Sequence, residues 1–208
     1  MRGRIICVEG LPRVGKTTII QQLKERYPVI SEYYEYLNGG KLAPVKTIKN
    51  YNDNQAMLLD IEEKRKKDIK QANVFVDRSF LSNLSFSFAM EKTFKKPFYK
   101  ISKDLHSSKL NENKLIIPNA FIYIKCNDFE GIRERMRLSN FDEIWLTEGF
   151  IELIYNFYER YFSCYCSVPV INLTSPIIDS FDFLEKINRM SIKEKDKGVK
   201  KLILGDSL

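Results

Sequence analysis

Eight residues near the start of the chain, Gly10-Leu11-Pro12-Arg13-Val14-Gly15-Lys16-Thr17, have the types and spacing that hold phosphate groups. Glycines at 10 and 15 let the backbone curl so that successive N–H groups converge on phosphate oxygens. The start of a following helix adds unpaired N–H groups and the positive end of its dipole. Lys16 would reach the β- and γ-phosphates of a nucleoside triphosphate, and Thr17 would offer a hydroxyl to Mg²⁺. The loop therefore predicts ATP and Mg²⁺ as cofactors, held by Gly10, Pro12, Arg13, Val14, Gly15, Lys16, Thr17 and Thr18. The prediction carries a structural condition, that the glycines follow a strand and open a helix. Residues 5–9 form a β-type apolar run, and helix-like sequence extends from Gly15 to about Arg26.

A second set of candidates lies further along. Asp77 closes the apolar run Val74-Phe75-Val76, and the carboxyl end of a strand is where ligands collect in parallel α/β sheets. Its carboxylate could hold Mg²⁺ or take a proton from an attacking hydroxyl. Arg78 could clamp a phosphate or orient the acceptor oxygen. Glu32, just after Val29-Ile30, is the other candidate carboxylate, with Glu35 competing for the role. Whether Glu32 or Asp77 is the base stays open. Arg133, Arg135 and Arg137 alternate, and at 100° per residue they cannot share one helix face. A helix fraying near Arg135 would let Arg135 and Arg137 close over a triphosphate, binding its oxygens in pairs. Paired with Glu130 and Glu134, they would be ordinary surface arginines.

The elements that must position these residues alternate. Strands are expected at 5–9, 27–31, 74–76, 120–125 and 168–173. Helices are expected at 15–26, 54–71 (capped by Asp53 or Asn52), through the eighties, at 128–137, 147–162 and 179–190. A polar stretch fills the interval up to Asn119. Alternation of this kind argues for an α/β fold, and nearly all-apolar strands argue for a parallel sheet covered on both faces. The fold class expected is a three-layer P-loop NTPase fold with a five-stranded parallel sheet and an arginine-containing lid. Residues 1–190 would form one P-loop domain and 191–208 a basic, flexible tail.

Three segments resemble known kinases. The run Glu9-Gly10 through Gly15-Lys16-Thr17-Thr18 is similar to the nucleotide loop of thymidylate kinases, with Arg13 in the slot of an arginine that contacts the transferring phosphoryl group; Pro12 replaces their aspartate. Asp77-Arg78-Ser79-Phe80-Leu81-Ser82-Asn83 resembles both thymidylate kinases (D-R-Y-x-x-S) and deoxynucleoside kinases (E-R-S-x-x-S-D). Arg135 and Arg137 match the closing pair of both families' lid, with Gly131 where its first arginine would fall. The resemblance implies ATP-dependent phosphoryl transfer to a nucleoside or nucleoside monophosphate. It implies catalytic roles for Lys16, Asp77, Arg78, Arg13, Arg135, Arg137 and Glu32, with Thr17 and Asp77 at the metal. It also implies a base-reading role for Gln55. The resembled kinases are commonly dimers, and the Phe-rich stretch Phe80–Phe94 could serve a homodimer or lie in the core.

Composition narrows the alternatives. No stretch approaches the ~18 uninterrupted apolar residues of a membrane helix, so no membrane partner is expected. Met1–Arg4 runs straight into the strand before the phosphate loop and does not read as a cleavable signal, so a cytoplasmic location is expected. Cys7, Cys126, Cys164 and Cys166 lack metal-ligand spacing, and the single histidine, His106, has no catalytic company. A net charge of +7 suits a polyanionic substrate. Much of the excess sits in 63–67 and 193–201, runs that read as solvated faces or ends. Two alternatives remain: a kinase of the same fold with a non-nucleoside acceptor, and a nucleotide-dependent switch or nucleic-acid-associated ATPase using the basic tail.

Overall fold

The structure, a computed structural model, describes residues 4–37, 39–45, 47–70, 73–139, 141–174 and 194–205. Five strands, β1 (Ile5–Gly10), β2 (Val29–Ile30), β3 (Val74–Asp77), β4 (Ala120–Lys125) and β5 (Val170–Thr174), form one parallel sheet in the order β2-β3-β1-β4-β5. The central strands are apolar on both faces because helices cover both. From Ile6 onward every β1 residue is buried, as is all of β3. The chain leaves β1 towards β2 on one side and leaves β3 towards β4 on the other. The carboxyl ends of β1 and β3 therefore flank a topological switch point, where a ligand crevice opens. Register aligns Val8 with Asp77 and Gly10 with Ile124, so both candidate loops leave the same edge of the sheet.

The helices are α1 (Lys16–Lys24), α2 (Ile48–Asp68), α3 (Phe80–Phe94), α4 (Phe98–Asn111), α5 (Phe129–Leu138), α6 (Phe150–Arg160) and α7 (Gly198–Leu204). Among the described residues no helix is long and apolar enough to cross a membrane. The Phe-rich helix α3 lies mostly in the core, with Phe80, Leu81, Leu84, Ala89 and Met90 buried and Phe94 alone of its apolar residues exposed. The helix expected at 179–190 lies outside the described residues.

Several expectations need correction. Helix α2 starts at Ile48, not after Asp53: Thr47 caps it, accepting from the Asn50 N–H at 3.1 Å. The two extra turns bury Tyr51, whose hydroxyl donates to the Ser87 hydroxyl at 2.5 Å and approaches the Phe98 carbonyl at 2.9 Å. The interval read as polar contains α4. Its inward stripe, Phe98, Ser102 and His106, is helical in spacing, but two of its three members look polar in sequence. Both are buried all the same: His106 Nδ1 donates to the Ser102 carbonyl at 2.7 Å, and its Nε2 has no partner among the described residues. The tail expected to be flexible instead folds into α7 over part of its length. Val199, Leu202 and Ile203 are buried there, and Asp196 anchors it by accepting from the Ser167 N–H at 2.9 Å and from the Tyr161 hydroxyl.

Candidate active site

The phosphate loop owes its path to Gly10. At φ 145°, a Cβ there would stand 2.7 Å from the Ile124 carbonyl oxygen and 3.2 Å from Val14 Cγ1, so only glycine lets the loop turn against β4. Leu11, Pro12 and Val14 are buried and pin it to the core. Gly15, at φ 104°, is the N-cap of α1 and offers its first turn no side-chain cap. The first-turn N–H groups are thus left to a ligand, as an anion site requires. Thr17 and Thr18 are exposed at that end. Lys16 is buried and its Nζ donates to the Gly10 carbonyl at 2.9 Å and to the Leu11 carbonyl. Burial pushes this ammonium well below its usual range, Arg78 adds to the push, and Asp77 opposes it.

The exit of β3 gathers three charged groups. Asp77 is buried, and its Oδ1 has no partner among the described residues. Burial raises its carboxyl above the ordinary range; Glu32 raises it further, while Arg78 and Lys16 oppose. Arg78 takes a left-handed backbone, φ 63°, uncommon for a residue with a side chain. That turn swings its guanidinium over the loop: Nε donates to Glu32 Oε2 at 3.1 Å, and Nη1 lies 3.4 Å from the Gly10 carbonyl oxygen. Glu32 therefore joins the cluster, with about a third of its side chain still open to solvent. Glu35 does not; it faces Lys24 at 3.9 Å.

Behind this cluster α2, α3 and α4 enclose buried polar groups. Gln55 Oε1 accepts from the Ser102 hydroxyl at 3.2 Å. Asn83 is buried, and its Nδ2 has no partner among the described residues. His106 is held neutral, its pKa pushed down to about 4 by burial against the opposing bond to Ser102. It has the geometry of a packed core residue, and no catalytic arrangement surrounds it.

The arginine segment behaves differently from the expectation of fraying near Arg135. Helix α5 runs unbroken to Leu138 because Ile132 and Met136 are buried one turn apart and Asp128 caps its start, accepting from the Gly131 N–H at 2.8 Å. A Cβ at 131 would collide with that Asp128 carboxylate, which explains the glycine in the slot of the first lid arginine. Arg133 pairs with Glu130 and with Glu152 of α6, and Arg137 with Glu134 at 3.2 Å. Arg135, exposed, turns back along the helix: its Nη1 lies 3.2 Å from where a Cβ on Gly131 would stand. Just beyond α5, Phe141 lies under the Arg13 guanidinium at 5.1 Å and ties the lid segment to the phosphate loop. The structure thus sets Arg13 against Phe141, turns Arg135 back towards the start of α5 and leaves Arg137 on an outer ion pair.

Residues 6–197 match the family model for deoxynucleoside kinases. The chain belongs to that family. It is a P-loop nucleoside kinase. Among solved structures, the kinase is similar to the deoxyadenosine kinase of M. mycoides with bound dATP. Identity is 18%, coverage is 88% of this chain and 99% of that one, and the TM-score is 0.63. The same M. mycoides enzyme with the products dCMP and a flexible dCDP gives 18% identity, 89% and 100% coverage and a TM-score of 0.62. Comparison with curated proteins finds no match.

Two buried carboxylates beside the kinase's site escaped the sequence reading. Glu9 precedes the loop and is wholly buried; its carboxylate accepts from the Ser79 N–H (2.7 Å), the Ser79 hydroxyl (2.5 Å), the Ser82 hydroxyl (2.8 Å) and the Tyr158 hydroxyl (2.9 Å). Ser79 is also the N-cap of α3, so one carboxylate joins the phosphate loop to the β3 exit and to α6. Glu62 pairs with Arg65, both fully buried. The run 63–67 read as a solvated face, and Lys64 and Lys67 are exposed as expected, but Arg65 turns inward. A helical wheel places Arg65 with Leu58, Ile61 and Glu62 on the buried face, a signal that the charge run hid.

Proposed function

We propose that this kinase transfers the γ-phosphoryl group of ATP to a hydroxyl of a deoxynucleoside, with Glu32 as the general base. The observation that carries this is the Glu32–Arg78 pair beside Asp77, at the strand ends that face the phosphate loop. A hydroxyl acceptor must lose a proton, and Glu32 is the carboxylate of the cluster that keeps solvent access. A monophosphate acceptor would need no base and would call for cations where two carboxylates stand. The bound nucleotides named for the M. mycoides enzyme support a deoxynucleoside.

The other roles follow from chemistry. The loop amides and Lys16 would hold the triphosphate. Asp77, whose buried Oδ1 lacks a partner, and the exposed Thr17 hydroxyl are the oxygen donors that suit Mg²⁺; when bound, the ion would neutralise charge on the β- and γ-phosphates. Arg78, bonded to Glu32 Oε2, would orient that carboxylate and the acceptor oxygen. Arg13 and Arg135 would meet charge developing on the transferring group, and Arg137 would join them only by leaving Glu134. Gln55 and Asn83 supply buried amides to read the base. Four free cysteines support a cytoplasmic site of action. The switch or nucleic-acid reading drew on the basic tail, part of which folds into α7 with Lys200 and Lys201 exposed.

Incubation with γ-labelled ATP and a panel of deoxynucleosides and their monophosphates tests the proposal. Label should enter a deoxynucleoside, and Glu32→Gln should lower kcat by ~10²–10⁴-fold with ATP affinity retained. Label entering monophosphates alone, or no acceptor at all, would overturn it.

A further inference from the structure

Arg65 lies behind the site, on the buried face of α2, and its donors reach past Glu62. Nε donates to the Ser31 carbonyl at 2.9 Å, one residue before Glu32. Nη2 donates to the Asp77 carbonyl at 2.7 Å and to the Arg78 carbonyl at 2.8 Å. Nη1 takes Glu62 Oε2 at 2.8 Å, and the guanidinium lies 4.2 Å from the centre of the Tyr33 ring. Glu62 is fixed in turn by the Tyr33 hydroxyl (2.8 Å) and by the Ile116 N–H (3.2 Å) at Oε1. A planar fork with five donors can meet such a set of acceptors at once, which an ammonium cannot.

What the fork holds is the backbone from which Glu32, Asp77 and Arg78 project. β2 is two residues long, so the chain carrying Glu32 has little sheet pairing of its own beyond Ile30. Arg78 sits in a left-handed conformation that is costly for a non-glycine residue and persists only where its surroundings enforce it. The bonds to the carbonyls on both sides of that residue's N–H supply the enforcement. We propose that Arg65 is a positioning residue: it sets the distance between Glu32 and Arg78 by clamping the ends of β2 and β3 to each other. The assignment rests on the roles given above to Glu32, Asp77 and Arg78. The phosphate loop hangs from β1, and the hydrogen bonds of Arg65 go to Ser31, Glu62, Asp77 and Arg78 instead, so nucleotide binding stands apart from the clamp.

The test compares Arg65→Lys and Arg65→Met with Tyr33→Phe. Lysine keeps a charge for Glu62 but cannot span the three carbonyls; methionine serves if the lysine variant does not fold. Tyr33→Phe breaks the same buried network while leaving Arg65 its carbonyl bonds. ATP-binding stoichiometry counts folded molecules, and kcat is expressed per ATP-binding site. Both Arg65 variants should lose about 10- to 100-fold in kcat per site, the scale of a misplacement near 1 Å, with the Kd for ATP within twofold of wild type. Tyr33→Phe should keep kcat per site within twofold while lowering thermal stability. If Arg65→Lys or Arg65→Met keeps kcat per site within threefold while the wild type phosphorylates deoxynucleosides, Arg65 is structural only and the assignment falls. Equal losses in Tyr33→Phe and the Arg65 variants would overturn it too. A wild type that transfers no label to any deoxynucleoside would instead overturn the function proposed for the site.

Discussion

Replacing Tyr158 by phenylalanine isolates one bond of the Glu9 network. The Tyr158 and Ser82 hydroxyls both point at Glu9 Oε2, at 2.9 and 2.8 Å, and stand 3.0 Å from each other. Each hydroxyl has one proton and the carboxylate claims both, so the contact between them carries none. Tyr158→Phe therefore removes one charge-assisted hydrogen bond and leaves Ser82 and Ser79 in place. Ring packing survives, because Tyr123 and Phe162 meet the ring rather than the hydroxyl, with centroids at 5.7 and 6.1 Å. A hydrogen bond to a charged group contributes about 1.5–3 kcal/mol net. For a chain of this length each kcal/mol is worth about 2–4 °C. Thermal and urea unfolding should show a loss of about 1.5–3 kcal/mol, with a midpoint some 3–12 °C lower on those conversions. The same substitution made on a Glu9→Gln background should cost clearly less, since the charge that Tyr158 serves is gone. A loss under ~0.5 kcal/mol, or one unchanged by Glu9→Gln, would refute the reasoning, placing the strength of the loop's anchorage elsewhere.

Other perturbations separate stability from function. Burial raises the Asp77 carboxyl above its unfolded value, so its ionisation opposes folding, and stability is lost as pH rises through the folded pKa. Asp77→Asn should then raise the melting temperature of the nucleotide-free protein at neutral pH while abolishing phosphoryl transfer; a lower melting temperature would contradict this. His106 shifts the other way, to about 4, so its neutral form favours the fold above the unfolded value of ~6.5, and that stability drains away as pH falls from there towards 4. His106→Gln should remove up to about 1.4 kcal/mol per pH unit from the acid limb of a stability–pH curve, and an unchanged limb would count against the buried neutral ring. Leu202, buried on α7, should cost about 2–4 kcal/mol on truncation to alanine, whereas a free tail would show no change in urea unfolding.

The residues themselves determined the phosphate loop. A glycine at 10 and another at 15, a lysine and a threonine at fixed offsets, and an apolar run before them are local signals, and the backbone geometry they demand is local too. Strand identity was legible for the same reason, since segments buried on both sheet faces must be apolar throughout. Asp77, Arg78 and Glu32 were legible as residues at strand ends, but which carboxylate meets Arg78 depended on how β2 and β3 pair, and only the sheet order chose Glu32 over Glu35. Helix α4 stayed hidden because its inward stripe includes Ser102 and His106, polar groups buried by the packing of α2 and α3 around them, with Ser102 bonded across to Gln55 of α2. Arg65 and Glu62 stayed hidden because a charge run is usually solvated, and burial of an ion pair needs carbonyls from two other elements to receive it. Glu9 is the sharpest case. Its sequence neighbours fix it in the loop, but its hydroxyl partners come from positions 79, 82 and 158, and chain segments that far apart are brought to one carboxylate only by the packing of α3 and α6 against the sheet.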